Sequence, residues 1–104
     1  MFYIYVLYSQ SSDLFYVGYS SNFNIRLHQH NHSDRDTFTS KHRPWKLCAV
    51  FEVGNDEAQA MRIEKFIKKQ KSRKLIEKMV AGEPLNGVLA QLVIPQESGT
   101  DVRD

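Results

Sequence analysis

Three polar residues of this 104-residue chain, Arg26, His30 and Glu64, have the chemistry to act on a phosphate ester, and two tyrosine triplets precede them. Arg26 offers a planar, permanently charged fork that matches phosphate oxygens. His30 follows it by four residues, one helical turn, and so shares its face. Glu64 lies within Glu57-Ala58-Gln59-Ala60-Met61-Arg62-Ile63-Glu64-Lys65 and offers an oxygen ligand to one hard divalent cation. Mg²⁺ suits it best, because that ion keeps several waters and takes few protein ligands. Hydrolysis of a phosphodiester needs a nucleophilic water, positive charge on the phosphate and help for the leaving oxygen. Upstream stand Tyr3-Ile4-Tyr5 and Tyr16-Val17-Gly18, with Tyr5 and Tyr16 eleven positions apart, the separation of facing strands in a short hairpin.

Each residue also has a plainer explanation. Tyr5 and Tyr16 fit half-buried strand tyrosines, which is what most such tyrosines are. Arg26 fits a surface helix charge, and His30 a partner for a helix C-terminus. Glu64 fits an i, i+4 pair with Lys68, worth a few tenths of a kcal/mol, about 0.3–0.5. Singly these explanations are adequate; jointly they must account for five spacings at once. Other groups are weaker. His28, His30 and His32 would line one face of a strand but diverge on a helix. Cys48, in a β-branched and aromatic run, reads as a buried small hydrophobe. Trp45 reads as a core anchor, and Gly18 as a point where backbone passes close to the site.

The elements that must position these residues follow from pattern. Phe2–Tyr8 are aromatic or aliphatic without a polar break, which predicts a central strand buried on both faces. Ser9–Asp13 is turn chemistry, and Leu14–Tyr19 predicts the second strand of a hairpin. Ser20-Ser21-Asn22 caps a helix running to about His30, with Phe23 and Leu27 on its inner face. Residues 31–44 are polar and predict a loop with at most a short helical turn. Trp45–Val53 predicts a third strand, broken at Gly54-Asn55. Asp56-Glu57 open a long helix whose inner face is Ala60, Ile63, Phe66 and Ile67, with Glu64 at its edge. A further helix spans Ser72–Ala81 and stops at Gly82. Leu85–Ile94 is apolar and fits either strand or helix. The order β-β-α-β-α-α predicts one α+β domain over residues 1–94, a small, largely antiparallel three-stranded sheet flanked by helices. Residues 95–104 predict a disordered tail.

Composition is that of a globular chain: 41% hydrophobic, 25% charged and 12% aromatic. No apolar run reaches the ~20 residues of a membrane span, so no membrane partner is expected. A lone cysteine rules out an intrachain disulfide and a multi-cysteine zinc site, and predicts a cytoplasmic, reduced setting. Net charge is +2, unevenly spread: Arg62–Lys78 holds eight of the fourteen basic residues against two acids. A basic segment on an otherwise acidic protein points to a polyanion partner, with a solvated lysine-rich face as the alternative.

The two tyrosine triplets, Arg26, His30 and Glu64, in this order, resemble the GIY-YIG nuclease superfamily. The first triplet is Tyr-Ile-Tyr where the family often has Gly-Ile-Tyr. Thr39, Arg43-Pro44-Trp45-Lys46-Leu47 and the Glu57–Lys65 helix resemble its small single-domain members, whose fold is related to the N-terminal nuclease domain of excinucleases. The likeness covers roughly residues 2–78. It differs at Tyr19, where many members carry lysine, and in having Asn86 as its nearest downstream asparagine. The resemblance implies an endonuclease that uses one divalent cation, Mg²⁺ or Mn²⁺, on DNA, branched or damaged DNA included, in repair or processing. It implies catalytic roles for Tyr5, Tyr16, Arg26, His30 and Glu64, with Glu64 on the metal. Tyr16 is the main activator of water and Tyr5 its partner, roles that are open to exchange. In the basic segment Lys65, Lys68, Lys69, Lys71, Arg73 and Lys74 are the candidates for nonspecific phosphate contact. The alternative is a nucleic-acid-binding module of the same fold that cuts slowly or not at all. If the nuclease reading holds, both tyrosine hydroxyls, the Arg26 guanidinium and the Glu64 carboxylate converge on one concave surface. His30 then lies at its rim, with the basic segment alongside.

Overall fold

A run such as Phe2-Tyr3-Ile4-Tyr5-Val6-Leu7-Tyr8 has no polar face to offer water, so it needs cover on both sides. In the computed structural model, which describes residues 1–95, β1 (Phe2–Ser9) is the middle strand of a three-stranded sheet. β2 (Leu14–Ser20) and β3 (Trp45–Gly54) flank it, both antiparallel. Ile4, Tyr5, Val6 and Leu7 are all buried. Their alternation sorts them onto opposite faces. Ile4 and Val6 join Val17, Phe51, Ile63, Ile67 and Met79 in one core, while Tyr5 and Leu7 join Trp45 in the other.

Three helices cover these faces. α1 (Phe23–His32) presents Phe23 and Leu27 to the Tyr5 side. α2 (Glu57–Gln70) buries Ala60, Ile63 and Ile67 against the other side, and α3 (Arg73–Ala81) adds Met79 there. Each starts where a short polar side chain can accept an orphan backbone N–H: Asn22 from Ile25, Asp56 from Ala58 and Ser72 from Leu75. Gly82 ends α3 in the left-handed conformation, as expected of a glycine C-cap.

Three expectations need correction. α1 runs two residues past His30, because Arg43 covers its last carbonyls: Nε donates to His30 O at 2.7 Å and Nη2 to Ser33 O at 2.6 Å. Cys48 is half-buried, not buried. Val6 pairs with Ala49 and Leu7 with Leu47, so Cys48 is the extra residue of a bulge and has no seat in either core. Leu85–Ile94 forms neither a full strand nor an α-helix. It makes a 3₁₀ turn at Gly87–Gln91 that buries Leu89, then one antiparallel bridge from Val93 to Glu52 on the outer edge of β3. Pro84 and Gly87 leave too little room for a regular helix. The expected tail lies outside the described residues except for Pro95. Among the described residues no helix is long and apolar enough to cross a membrane.

The polar segment between α1 and β3 holds a 3₁₀ turn at Thr39–His42. Asn31 anchors it. Its side-chain amide donates to Trp45 O at 3.0 Å and its oxygen accepts from Trp45 N at 2.6 Å, so a carboxamide replaces a neighbouring strand there.

Candidate active site

Because side chains alternate along a strand, Tyr5 and Tyr16 can share a face only if their register differs by an even number. Tyr5 stands opposite Gly18 and Leu7 opposite Tyr16, so the two tyrosines are diagonal neighbours on the α1 side. Gly18 is required for this. A Cβ there would collide with the Tyr5 hydroxyl and ring. The missing side chain lets the Tyr5 ring lie across β2 towards the open edge of the sheet.

Glu64 reaches the same place from the opposite face. α2 packs on the other side of the sheet, but β2 is an edge strand, so side chains at the margin of α2 come around it. The result is a hollow of about 330 Å³ lined by Tyr5, Tyr16, Arg26 and Glu64, with Phe2, Tyr19, Ser20, Ser21 and Glu57 completing its wall. Four separate elements contribute to it.

His30 is not at the rim. It is buried behind the hollow, where Tyr5 Oη and its Nε2 are 2.9 Å apart and its Nδ1 lies 3.0 Å from Thr39 Oγ1. Thr39 is itself buried and held by Trp45 Nε1 donating to its carbonyl at 2.7 Å. The displacement follows from Thr39 and Trp45, which pull the imidazole inward. Burial, reinforced by the Arg26, Lys68 and Arg43 charges, pushes the His30 pKa down to about 4, so the ring is neutral at neutral pH. A neutral imidazole has one donor and one acceptor, and either tautomer satisfies both contacts. Burial likewise pushes Tyr5 up to about 12, against the pull of the nearby Arg26 guanidinium, so its phenol stays protonated.

Arg26 Nη1 donates to Gln29 Oε1 at 2.9 Å, which steers the guanidinium along the α1 face. Glu64 pairs with Lys68 Nζ at 3.4 Å, and that ammonium also sits 4.8 Å from the centroid of the Tyr16 ring. The plainer explanation of Glu64 therefore describes a real contact, but the carboxylate faces the hollow as well. Lys68 supplies positive charge beside the site from α2, whereas Tyr19 donates its hydroxyl to Glu57 Oε2 at 3.1 Å. Glu57 escaped the sequence reading, which treated it as a helix-start acid. Its signal was its spacing of seven from Glu64, two turns along the same face.

Two carboxylates and several hydroxyls make a short oxygen donor set, and among the described residues no group of three or more metal-ligating side chains gathers. Such a set fits a largely hydrated Mg²⁺. Of the six expected phosphate contacts, Lys68, Lys71 and Arg73 line a second hollow that shares Tyr16 with the first. Arg73 is already bound to Asp13 Oδ1 at 2.7 Å and Glu77 Oε2 at 3.1 Å. Lys65, Lys69 and Lys74 are exposed and line neither hollow.

Residues 1–78 match the family described as the GIY-YIG catalytic domain, well over half of the chain. No curated protein matches it.

Proposed function

The chain belongs to the GIY-YIG catalytic-domain family, and on that premise we propose that it is an endonuclease hydrolysing DNA phosphodiester bonds with one divalent cation, Mg²⁺ or Mn²⁺. One observation carries the reading: Tyr5, Tyr16, Arg26 and Glu64, from four elements and both sides of the sheet, line one hollow. A core packing requirement would not bring a guanidinium and a carboxylate together with two phenols at a sheet edge.

Glu64, with Glu57 beside it, would hold the cation, which when bound stabilises charge on the phosphate and lowers the pKa of nearby oxygens. Arg26 clamps the phosphate oxygens and carries a charge that no pH change removes. Tyr16, half-exposed in the hollow, would release its own proton to solvent and, as the phenolate, take that of the attacking water at Oη. Tyr5 keeps its own proton and is locked by neutral His30, so it orients the reacting groups and does not act as the base. The sequence left those two roles exchangeable; the burial of Tyr5 favours this assignment.

Glu64→Gln keeps the shape and removes the charge. Plasmid nicking should fall by at least ~10²-fold across a Mg²⁺ titration, the scale of losing one charge-stabilising group. Gel-shift binding in chelator should persist. Equal nicking by both proteins at every Mg²⁺ concentration removes Glu64 from the mechanism. Binding without metal-dependent nicking by the wild type would instead make the chain a nucleic-acid-binding module, an outcome that the Glu64–Lys68 pair favours.

A further inference from the structure

A third hollow adjoins the site and includes neither Lys71 nor Arg73. Its volume is about 510 Å³, and Tyr16, Arg26 and His30 belong to it as well. The rest of its wall comes from the end of α1 and the segment before the 3₁₀ turn, including Arg35 and Phe38. Phe38 leaves 53% of its surface exposed, unusual for a large apolar ring beside a buried core. It lies 6.4 Å from the Tyr16 ring, with the planes inclined by only 28°. His42 lies against the same ring at a centroid distance of 4.8 Å, inclined by 51°. The ring is thus held nearly parallel to the aromatic residue at the site yet stays open to solvent. Arg26 and Arg35 add two positive charges, and among the described residues no carboxylate pairs with either. Asp34 and Asp36 flank Arg35 in the chain but do not line the hollow.

A stacking surface with cations on one side and the reacting phosphate next door has the form of a nucleotide seat. Duplex DNA cannot use it, because its bases are stacked within the helix; an unpaired base can, since every base has a π-face. We propose that this hollow binds an unpaired nucleotide adjoining the scissile phosphate, with its base on Phe38 and its phosphate held by Arg35. The inference rests on the nuclease reading and names its substrate class: DNA that is single-stranded at the cut.

Three fluorescein-labelled probes test it in chelator, where nothing is cut: a perfect duplex, the same duplex with an unpaired 3′ or 5′ arm, and the single strand. The wild type should bind the armed and single-stranded probes more tightly than the duplex. Phe38→Ala should weaken both by roughly 5- to 100-fold, the worth of one base–aromatic stack, and leave duplex binding unchanged. Phe38→Trp should restore them, and thermal melting should show both variants folded. If Phe38→Ala lowers affinity for all three probes alike, or for none, or if the duplex binds best, the seat is not there. Failure of the wild type to bind any probe would overturn the nuclease reading itself, and the seat with it.

Discussion

Gly18→Ala adds one methyl group, yet it is aimed at the most constrained side chain of the site. The new Cβ would sit closer to the Tyr5 hydroxyl and ring carbons than atoms can approach. Restoring van der Waals contact requires the ring to move by about an ångström. Tyr5 is fully buried, its neighbour Leu7 likewise, and its hydroxyl is tied to His30 at 2.9 Å, so the ring has nowhere to turn. Overpacking of this kind costs roughly 1–3 kcal/mol. If the ring swings far enough to release His30, an unpaired buried nitrogen adds about 1–3 kcal/mol more. The sum, roughly 2–5 kcal/mol, is a large share of the ~5–15 kcal/mol that holds a domain folded. Melting followed by circular dichroism should therefore fall by about 10 °C or more, since 1 kcal/mol shifts a domain of this size by roughly 4–8 °C. Nicking measured well below the new midpoint should drop about 10²-fold, the penalty for an ångström of misplacement. A variant that melts and nicks like the wild type would refute the account of Gly18, and with it the claim that the Tyr5 ring lies across β2.

Two further outcomes follow from charge. His30 has a folded pKa of about 4 against an ordinary 6.5, so the unfolded chain takes up its proton first as pH falls. Stability from this residue is complete above about pH 6.5 and is lost towards pH 4, by at most ~3 kcal/mol. Urea titrations of wild type and His30→Gln should diverge in slope within that window; parallel curves would mean that the imidazole is not held neutral. Lys68 and Lys71 line the basic hollow and Lys69 does not. Lys68→Ala with Lys71→Ala should flatten the dependence of log affinity on log salt by roughly 1–2 for duplex DNA, and Lys69→Ala should leave it alone. Equal effects from all three would replace a track with diffuse charge.

The parts of this molecule governed by periodicity and local polarity were legible in its sequence. The central position of β1 follows from its unbroken apolar run, and Ser20-Ser21-Asn22, Asp56-Glu57 and Ser72 announced the starts of the three helices. The meeting of Tyr5, Tyr16, Arg26 and Glu64 followed from type and order. What escaped depends on contacts between distant residues that leave no periodic trace. Nothing near Arg43 signals that it caps α1, and nothing near Asn31 signals that it clamps Trp45. The same holds for Thr39, which with Trp45 draws His30 inward, away from the rim position expected for it. Gly18 was noticed for its small size, but only the strand register shows which ring needs the room.

The bridge between Val93 and Glu52 separates two boundaries that are easily confused. The family match stops at residue 78, and every residue of the hollow lies before it. The fold does not stop there. Met79 and Leu89 fill the core beneath Ile63 and Ile67, and Val93 covers backbone groups of the outermost strand through Glu52, with N–H···O distances of 2.6 and 3.2 Å. A chain cut at residue 78 would keep its chemistry and lose its closure. Its core would lie open on one side, and β3 would lose its one bridge at Glu52, extending an open edge of the kind on which identical sheets join. The stretch from Met79 to Val93 thus guards the core and part of the β3 edge, although it stands apart from the site.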